Sequence, residues 1–115
     1  MTNRKRLEKL YQNASSSVLE NALHFARKRE QRVWGSGSEH EEARTEVKFL
    51  EALCSFNSIW RTVLTMDLDA FKRGYLDGYV DGCSEPDEDY TNAQAKAYSD
   101  GYEKGVADFC RQSNI

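Results

Sequence analysis

The sequence is poor in residues that break or staple a fold. Proline occurs once in 115 residues, and the three cysteines, Cys54, Cys83 and Cys110, show no paired spacing. An odd, unclustered set of thiols fits a reducing compartment, so a cytoplasmic setting is expected and a disulfide framework is not. No apolar run approaches the roughly 20 residues of a membrane span. Met1-Thr2-Asn3-Arg4-Lys5-Arg6 has no apolar stretch after it, so no secretory signal is expected. The two histidines, His24 and His40, lie outside any H-E-x-x-H or cysteine-pair context, which argues against a metal site. Phosphate loops, glycine-flanked serine nucleophiles and spaced carboxylate pairs are also missing. The expectation is a protein without catalytic residues, cofactor or metal.

Few β-branched runs and an abundance of Glu, Lys, Arg, Leu and Ala point to an all-α fold. At this length a single helical domain with one modest core is expected, a compact bundle of about five helices. The formal net charge of −3 conceals an asymmetry. Residues 1–33 hold eight Lys/Arg against three Asp/Glu, whereas residues 34–115 hold eight against sixteen. The two ends could attract each other within a chain or head to tail in a homo-oligomer. Alternatively they form two binding surfaces of opposite sign, one for an anionic partner and one for a cationic protein patch.

Helical periodicity runs through the chain. Leu7, Leu10 and Tyr11 set a first helix over 3–12. The polar break Asn13–Ser17 offers a serine cap for a second helix over about 17–34, with Val18, Leu19, Ala22, Leu23 and Ala26 as its apolar stripe and Phe25 beside it. Residues 1–34 thus form the basic N-terminal helices. Arg27, Lys28, Arg29 and Arg32 near the end of the second complement its dipole, and they are the basic candidates for partner contact. Lys28 and Arg32 share one side, and Arg27 lies on another. Arg4, Lys5, Arg6 and Lys9 would have to join them to make a phosphate-binding patch.

After Trp34-Gly35-Ser36-Gly37, Ser38 and Glu41 read as a capping box that opens the longest helix. This central core helix, 38–66, is expected to run to about Thr65. Val47, Leu50, Leu53, Cys54, Ile59, Trp60, Val63 and Leu64 recur at three- and four-residue steps, widened by Phe56. Asp67 is placed to break the chain or cap a fourth helix over about 68–82. Thr91 and Gln94 read as a second capping box, opening a last helix that runs to about Arg111.

The C-terminal part, 67–112, carries a repeat. Phe71-Lys72-Arg73-Gly74-Tyr75-Leu76-Asp77-Gly78 recurs 27 residues later as Tyr98-Ser99-Asp100-Gly101-Tyr102-Glu103-Lys104-Gly105. A glycine inside a helix costs roughly 1 kcal/mol against alanine, so these four require a compensating gain. Glycines at i and i+4 lie on one face and let a second backbone approach, while the aromatics wall the contact. Gly74, Tyr75, Gly78, Gly101, Tyr102 and Gly105 are therefore assigned to packing, in an antiparallel αα-hairpin that holds Cys83 and Cys110 at opposite ends. Tyr75, Tyr79, Tyr98 and Tyr102 could instead stack nucleobases, but Asp77, Asp81, Asp100 and Asp108 outnumber Lys72, Arg73 and Lys104 around them.

Residues 70–109 resemble the ribosome modulation factor family, a small bacterial helix–loop–helix with an R-G-Y-x-x-G helix. Arg73, Gly74, Tyr75, Gly78, Gly101 and Tyr102 carry the resemblance. It implies the hairpin and association with ribosomes. The family is basic and has a Cys-Pro-Tyr turn, where this chain has Cys83-Ser84-Glu85-Pro86-Asp87-Glu88-Asp89-Tyr90. Carboxylates there repel rRNA phosphates, so ribosome binding would fall to the basic N-terminal helices.

The stretch from Asp77 to Asp89 contains neither Lys nor Arg. It lacks the ligand spacing and central glycine of a calcium loop. Asp77, Asp81, Glu85, Asp87, Glu88 and Asp89 could imitate phosphates and occupy a protein that binds nucleic acid. The expected function is a regulatory or inhibitory protein of the kind small phage or mobile-element genes encode, which binds a macromolecular protein partner. The alternative is a ribosome-associated factor.

Overall fold

The computed structural model describes residues 3–63 and 67–113, and the side chains of Asn3, Arg4, Thr62 and Ser113 lie outside that description. The fold is all-α: five α-helices and no strand among the described residues. They are α1 (Asn3–Leu10), α2 (Ser16–Arg32), α3 (Ser38–Ile59), α4 (Leu68–Leu76) and α5 (Asn92–Ser113). A 3₁₀ turn (Trp60–Thr62) follows α3, and a π turn (Asp77–Asp81) extends α4. The chain separates into two compact units, Met1–Cys54 and Ser55–Ile115, with the boundary inside α3.

In the first unit Ser15 caps α2 by accepting the Val18 N–H at 3.4 Å, which satisfies one of the orphan donors of a helix start. The ion pairs Arg27–Glu51 and Arg29–Glu46, both 3.1 Å, set α2 and the first part of α3 antiparallel. Leu19, Leu23 and Ala26 of α2 are buried, as are Leu7 of α1 and Ala43, Val47, Phe49, Leu50, Ala52 and Leu53 of α3. Val18, Phe25 and Leu10, expected in or beside apolar stripes, are exposed instead. They lie on the outer faces of helices too short of neighbours to be covered all round. Ser38 is not the cap of α3. Glu41 N–H bonds the Gly37 carbonyl at 3.1 Å, so the helix opens one residue earlier and Ser38 lies inside its first turn.

In the second unit α3 stops at Ile59, short of the expected Thr65. Ser58 Oγ bonds the Ser55 carbonyl at 2.7 Å, the local competition with the helix ladder that serines offer, and the chain tightens into the 3₁₀ turn. Phe56 is buried, Ile59 and Val63 are half-buried, and Trp60 is exposed. Leu64 lies outside the described residues. At α5 the expected capping box is formed both ways: Thr91 N–H donates to Gln94 Oε1 at 2.9 Å, and Gln94 N–H to Thr91 Oγ1 at 3.2 Å.

The glycines fix how α4 and α5 meet. A Cβ on Gly74 would come closer than 3.0 Å to the Tyr98 carbonyl, one on Gly78 to that of Tyr102, one on Gly101 to that of Phe71 and one on Gly105 to that of Tyr75. A shift of 27 residues converts the first contact into the third and the second into the fourth. The two helices are thus related by an internal approximate two-fold. The same pairs correct the expected antiparallel hairpin. Moving up α4 from Gly74 to Gly78 moves the contact up α5 from Tyr98 to Tyr102, so the helices run side by side in the same direction.

Parallel neighbours need a connection that travels back. The helical stretch 68–81 is about 21 Å long at 1.5 Å per residue. Ten residues reach at most about 33 Å when fully extended, so 82–91 is long enough for the return even with a turn at 87–90. Gly82 starts it by taking the left-handed conformation (φ 66°) that caps the π turn, with its N–H on the Asp77 carbonyl at 2.8 Å. Arg73 Nη1 lies 3.7 Å from Asp87 Oδ2 as the segment passes back along α4.

Candidate functional site

Each buried tyrosine in the helix pair brings a hydroxyl that needs a partner. Tyr75 is fully buried and donates to Asp108 Oδ2 at 2.7 Å, while Ser55 Oγ lies 2.7 Å from the same phenol oxygen. Asp108, 2 % exposed, also receives Lys104 Nζ at 3.3 Å and the Arg111 guanidinium. Tyr79 donates to Gln112 Oε1 at 2.6 Å. Burial raises the Tyr75 pKa well above its ordinary value, and the Asp108 bond and charge add to the rise.

The second cluster holds the return segment. Tyr98 OH donates to Asp77 Oδ2 and accepts the Glu85 N–H at 2.7 Å, so one phenol joins α5, the π turn and the connection. Burial, then the bond to Asp77, pushes the Tyr98 pKa up to about 12. Tyr102 OH donates to the Gly82 carbonyl at 2.8 Å, and Tyr90 leans on Tyr98 with ring centroids 6.1 Å apart. Beyond these anchors Asp89 N–H bonds Asp87 Oδ1 at 3.2 Å, a local turn of the kind aspartate favours.

This frame divides the proposed acidic array. Asp81, Glu85, Asp87, Glu88 and Asp89 are exposed. Asp77 is 6 % exposed and belongs to the interior as the acceptor of Tyr98, which corrects its assignment to a partner surface. Beside the exposed carboxylates lies an open groove of about 410 Å³, lined by Asp67, Leu68, Ala70, Arg73, Tyr90 and Gln94. Tyr75, Tyr79 and Tyr98 are buried, which removes them as a platform for bases. The packing residues Gly74, Gly78, Gly101 and Gly105 are buried at the helix contact, with Tyr75 buried and Tyr102 half-buried beside them.

The basic candidates are also divided. Arg27 is paired with Glu51, and Arg29 with Glu46 at 3.1 Å and Glu42 at 3.9 Å, whereas Lys28 and Arg32 are exposed. Cys83 and Cys110 are free and exposed, and Cys54 is free and half-buried. Burial pushes the Cys54 thiol pKa up, helped by Glu20. Among the described residues no group of three His, Cys, Asp or Glu side chains is placed to hold a metal ion. No helix of the described residues is long and apolar enough to cross a membrane.

Asp108 and Ser55 escaped the sequence reading as structural partners. The 27-residue offset makes Asp108 the counterpart of Asp81, which is exposed, so the repeat carries no signal of the burial of Asp108. Compared with known family models, curated proteins and solved structures, the chain yields no match.

Proposed function

We propose that this is a non-enzymatic regulatory or inhibitory protein of the cytoplasm that binds a macromolecular protein partner through its acidic return segment. The observation that carries the reading is the contrast between the two charged surfaces. Glu85 to Asp89 are exposed on a segment tied down at Gly82, Glu85 and Tyr90, with Arg73 the cation paired to Asp87. Arg27 and Arg29, in contrast, have their charge offset by glutamates of α3. A fixed cluster of one sign steers encounter with a surface of the other sign and selects against like-charged ones. The partner is a protein with a basic or nucleic-acid-binding surface, for which the carboxylates stand in place of phosphates.

The test is parallel capture from a bacterial lysate with ribosomal fractions kept separate. Three baits are compared at low and high salt: wild type, a variant with Asp81, Glu85, Asp87, Glu88 and Asp89 changed to Asn or Gln, and a Lys28→Gln/Arg32→Gln variant. The proposal expects a basic protein retained by wild type and the second variant, and lost with the first. Co-sedimentation with ribosomes that only the Lys28/Arg32 change abolishes would replace it with the ribosome-associated reading.

A further inference from the structure

The groove beside the acidic segment is a consequence of the parallel helix pair. Because α4 and α5 run in the same direction, their first turns lie at the same end, and the return segment finishes there at Tyr90. About 410 Å³ of open space is left at that end. Asp67, Leu68, Asp69 and Ala70 border it from the start of α4, Tyr90 from the return segment and Gln94 from the start of α5. Arg73 stands one turn up α4 on the same border.

The lining limits what can sit there. Leu68 and Ala70 supply apolar wall, and Tyr90 adds an aromatic ring that is only half-buried, leaning on Tyr98. Asp67 and Asp69 contribute two carboxylates against the single guanidinium of Arg73. That guanidinium is already matched by Asp87, whose Oδ2 lies 3.7 Å from Arg73 Nη1. The same pair makes the groove continuous with the acidic segment, since Asp87 is the middle residue of 85–89 and Tyr90 follows Asp89 directly. The charge of the border and of its neighbours is therefore negative.

An anion is repelled by that balance. A neutral aromatic side chain would cover Leu68 and Tyr90, but it would strip water from the carboxylates without replacing their hydrogen bonds. A cation on an apolar stem satisfies both parts of the lining. The flat guanidinium of arginine stacks on a tyrosine face and offers a fork of N–H groups to carboxylates. The lysine ammonium is a compact, strongly hydrated point charge and does neither as well.

We infer that this groove receives an arginine side chain of the basic protein that the acidic segment attracts: Tyr90 carries the guanidinium, Asp67 and Asp69 accept its N–H groups, and Leu68 and Ala70 line its methylene stem. Resting on the proposed role of the acidic segment, the groove supplies what charge alone does not, an anchor that tells arginine from lysine.

The probe is N-acetyl-arginine amide, titrated at low salt into the isotope-labelled full chain and read by NMR from backbone amide shifts. Saturable shifts are expected at residues 67–73, Tyr90 and Gln94, with a dissociation constant on the order of 1 mM, as one side chain can supply. N-acetyl-lysine amide should bind at least about threefold more weakly. Asp67→Asn/Asp69→Asn, which keeps the size of both side chains, should weaken the arginine probe about fivefold at unchanged helicity. Tyr90→Leu, which keeps an apolar contact for Tyr98, should weaken it by about as much. Neutralising Glu85, Glu88 and Asp89, which lie outside the groove border, should leave the shifts at the groove residues. No saturable shift, shifts confined to 85–89, equal affinity for the two amides, or full affinity in both groove variants would each overturn the inference. Capture of a basic protein is read separately: a silent groove leaves the proposed function standing, and groove shifts without a captured protein leave only the groove.

Discussion

Single hydroxyl groups hold the second unit's interior together, and their removal has unequal consequences. Tyr98 serves two partners, so Tyr98→Phe removes one hydrogen bond from the buried Asp77 carboxylate and one from the Glu85 N–H. A hydrogen bond to a charged group contributes about 1.5–3 kcal/mol, so the variant should lose about that much in urea unfolding at neutral pH. Tyr75→Phe should lose less of its carboxylate's support, because Asp108 keeps Lys104 and Arg111. The phenols also set an alkaline limit. Their folded pKa values are raised, Tyr98 to about 12, and an unfolded tyrosine titrates near 10. Their contribution is fully present below pH 10 and is lost as pH rises from about 10 toward 12, since burial disfavours the phenolate and only the neutral phenol can donate to the carboxylates. Unfolding free energy followed from pH 7 to 12 should fall over that window, and less steeply in Tyr98→Phe. A flat wild-type profile would show that these phenols titrate alike in the folded and the unfolded chain.

Among the elements, the parallel pair of α4 and α5 carries the most specific expectation. Glycine to alanine inside a helix ordinarily stabilises by about 1 kcal/mol. Here Gly74→Ala, Gly78→Ala, Gly101→Ala and Gly105→Ala should all destabilise, because each new Cβ meets a carbonyl of the opposite helix. Gly78→Leu should be worse, by about 3 kcal/mol, whereas Ser99→Ala on the exposed side of α5 should stay within about 0.5 kcal/mol. Thermal melts of the set decide it, and a stabilised Gly74→Ala would refute the close approach. The pairing itself was legible in the sequence, since two glycines four apart in each of two helices have no other use. Its direction was not. A short connection usually joins antiparallel helices, and the chain runs parallel here because the segment from Gly82 travels back along α4 before it turns at 87–90. The constant 27-residue offset was the overlooked clue: a face repeated in the same order pairs with its copy most closely when both point the same way. The end of α3 was hidden for a different reason, as the apolar period continues past Ile59 while a serine side chain competes for the backbone.

For the whole molecule, the charge asymmetry that the sequence displays is redistributed by the fold. Part of the basic end is neutralised by Glu42, Glu46 and Glu51, and part of the acidic end is taken inside as Asp77 and Asp108. Which carboxylates stay at the surface depends on which ones buried tyrosines capture, and linear order does not reveal that. The carboxylates that remain outside, Asp81 and Glu85 to Asp89, carry the proposed function. Their field acts on encounter more than on the strength of the final complex. The most direct measurement is therefore the association rate with the captured basic partner, followed by stopped flow as ionic strength rises. It compares wild type with the variant in which Asp81, Glu85, Asp87, Glu88 and Asp89 are neutralised and the buried Asp77 is kept. The account predicts a wild-type rate at least about tenfold faster at low salt, converging with the variant as salt screens the field. Equal rates at low salt would contradict it and leave the return segment as a solvated connection between two parallel helices.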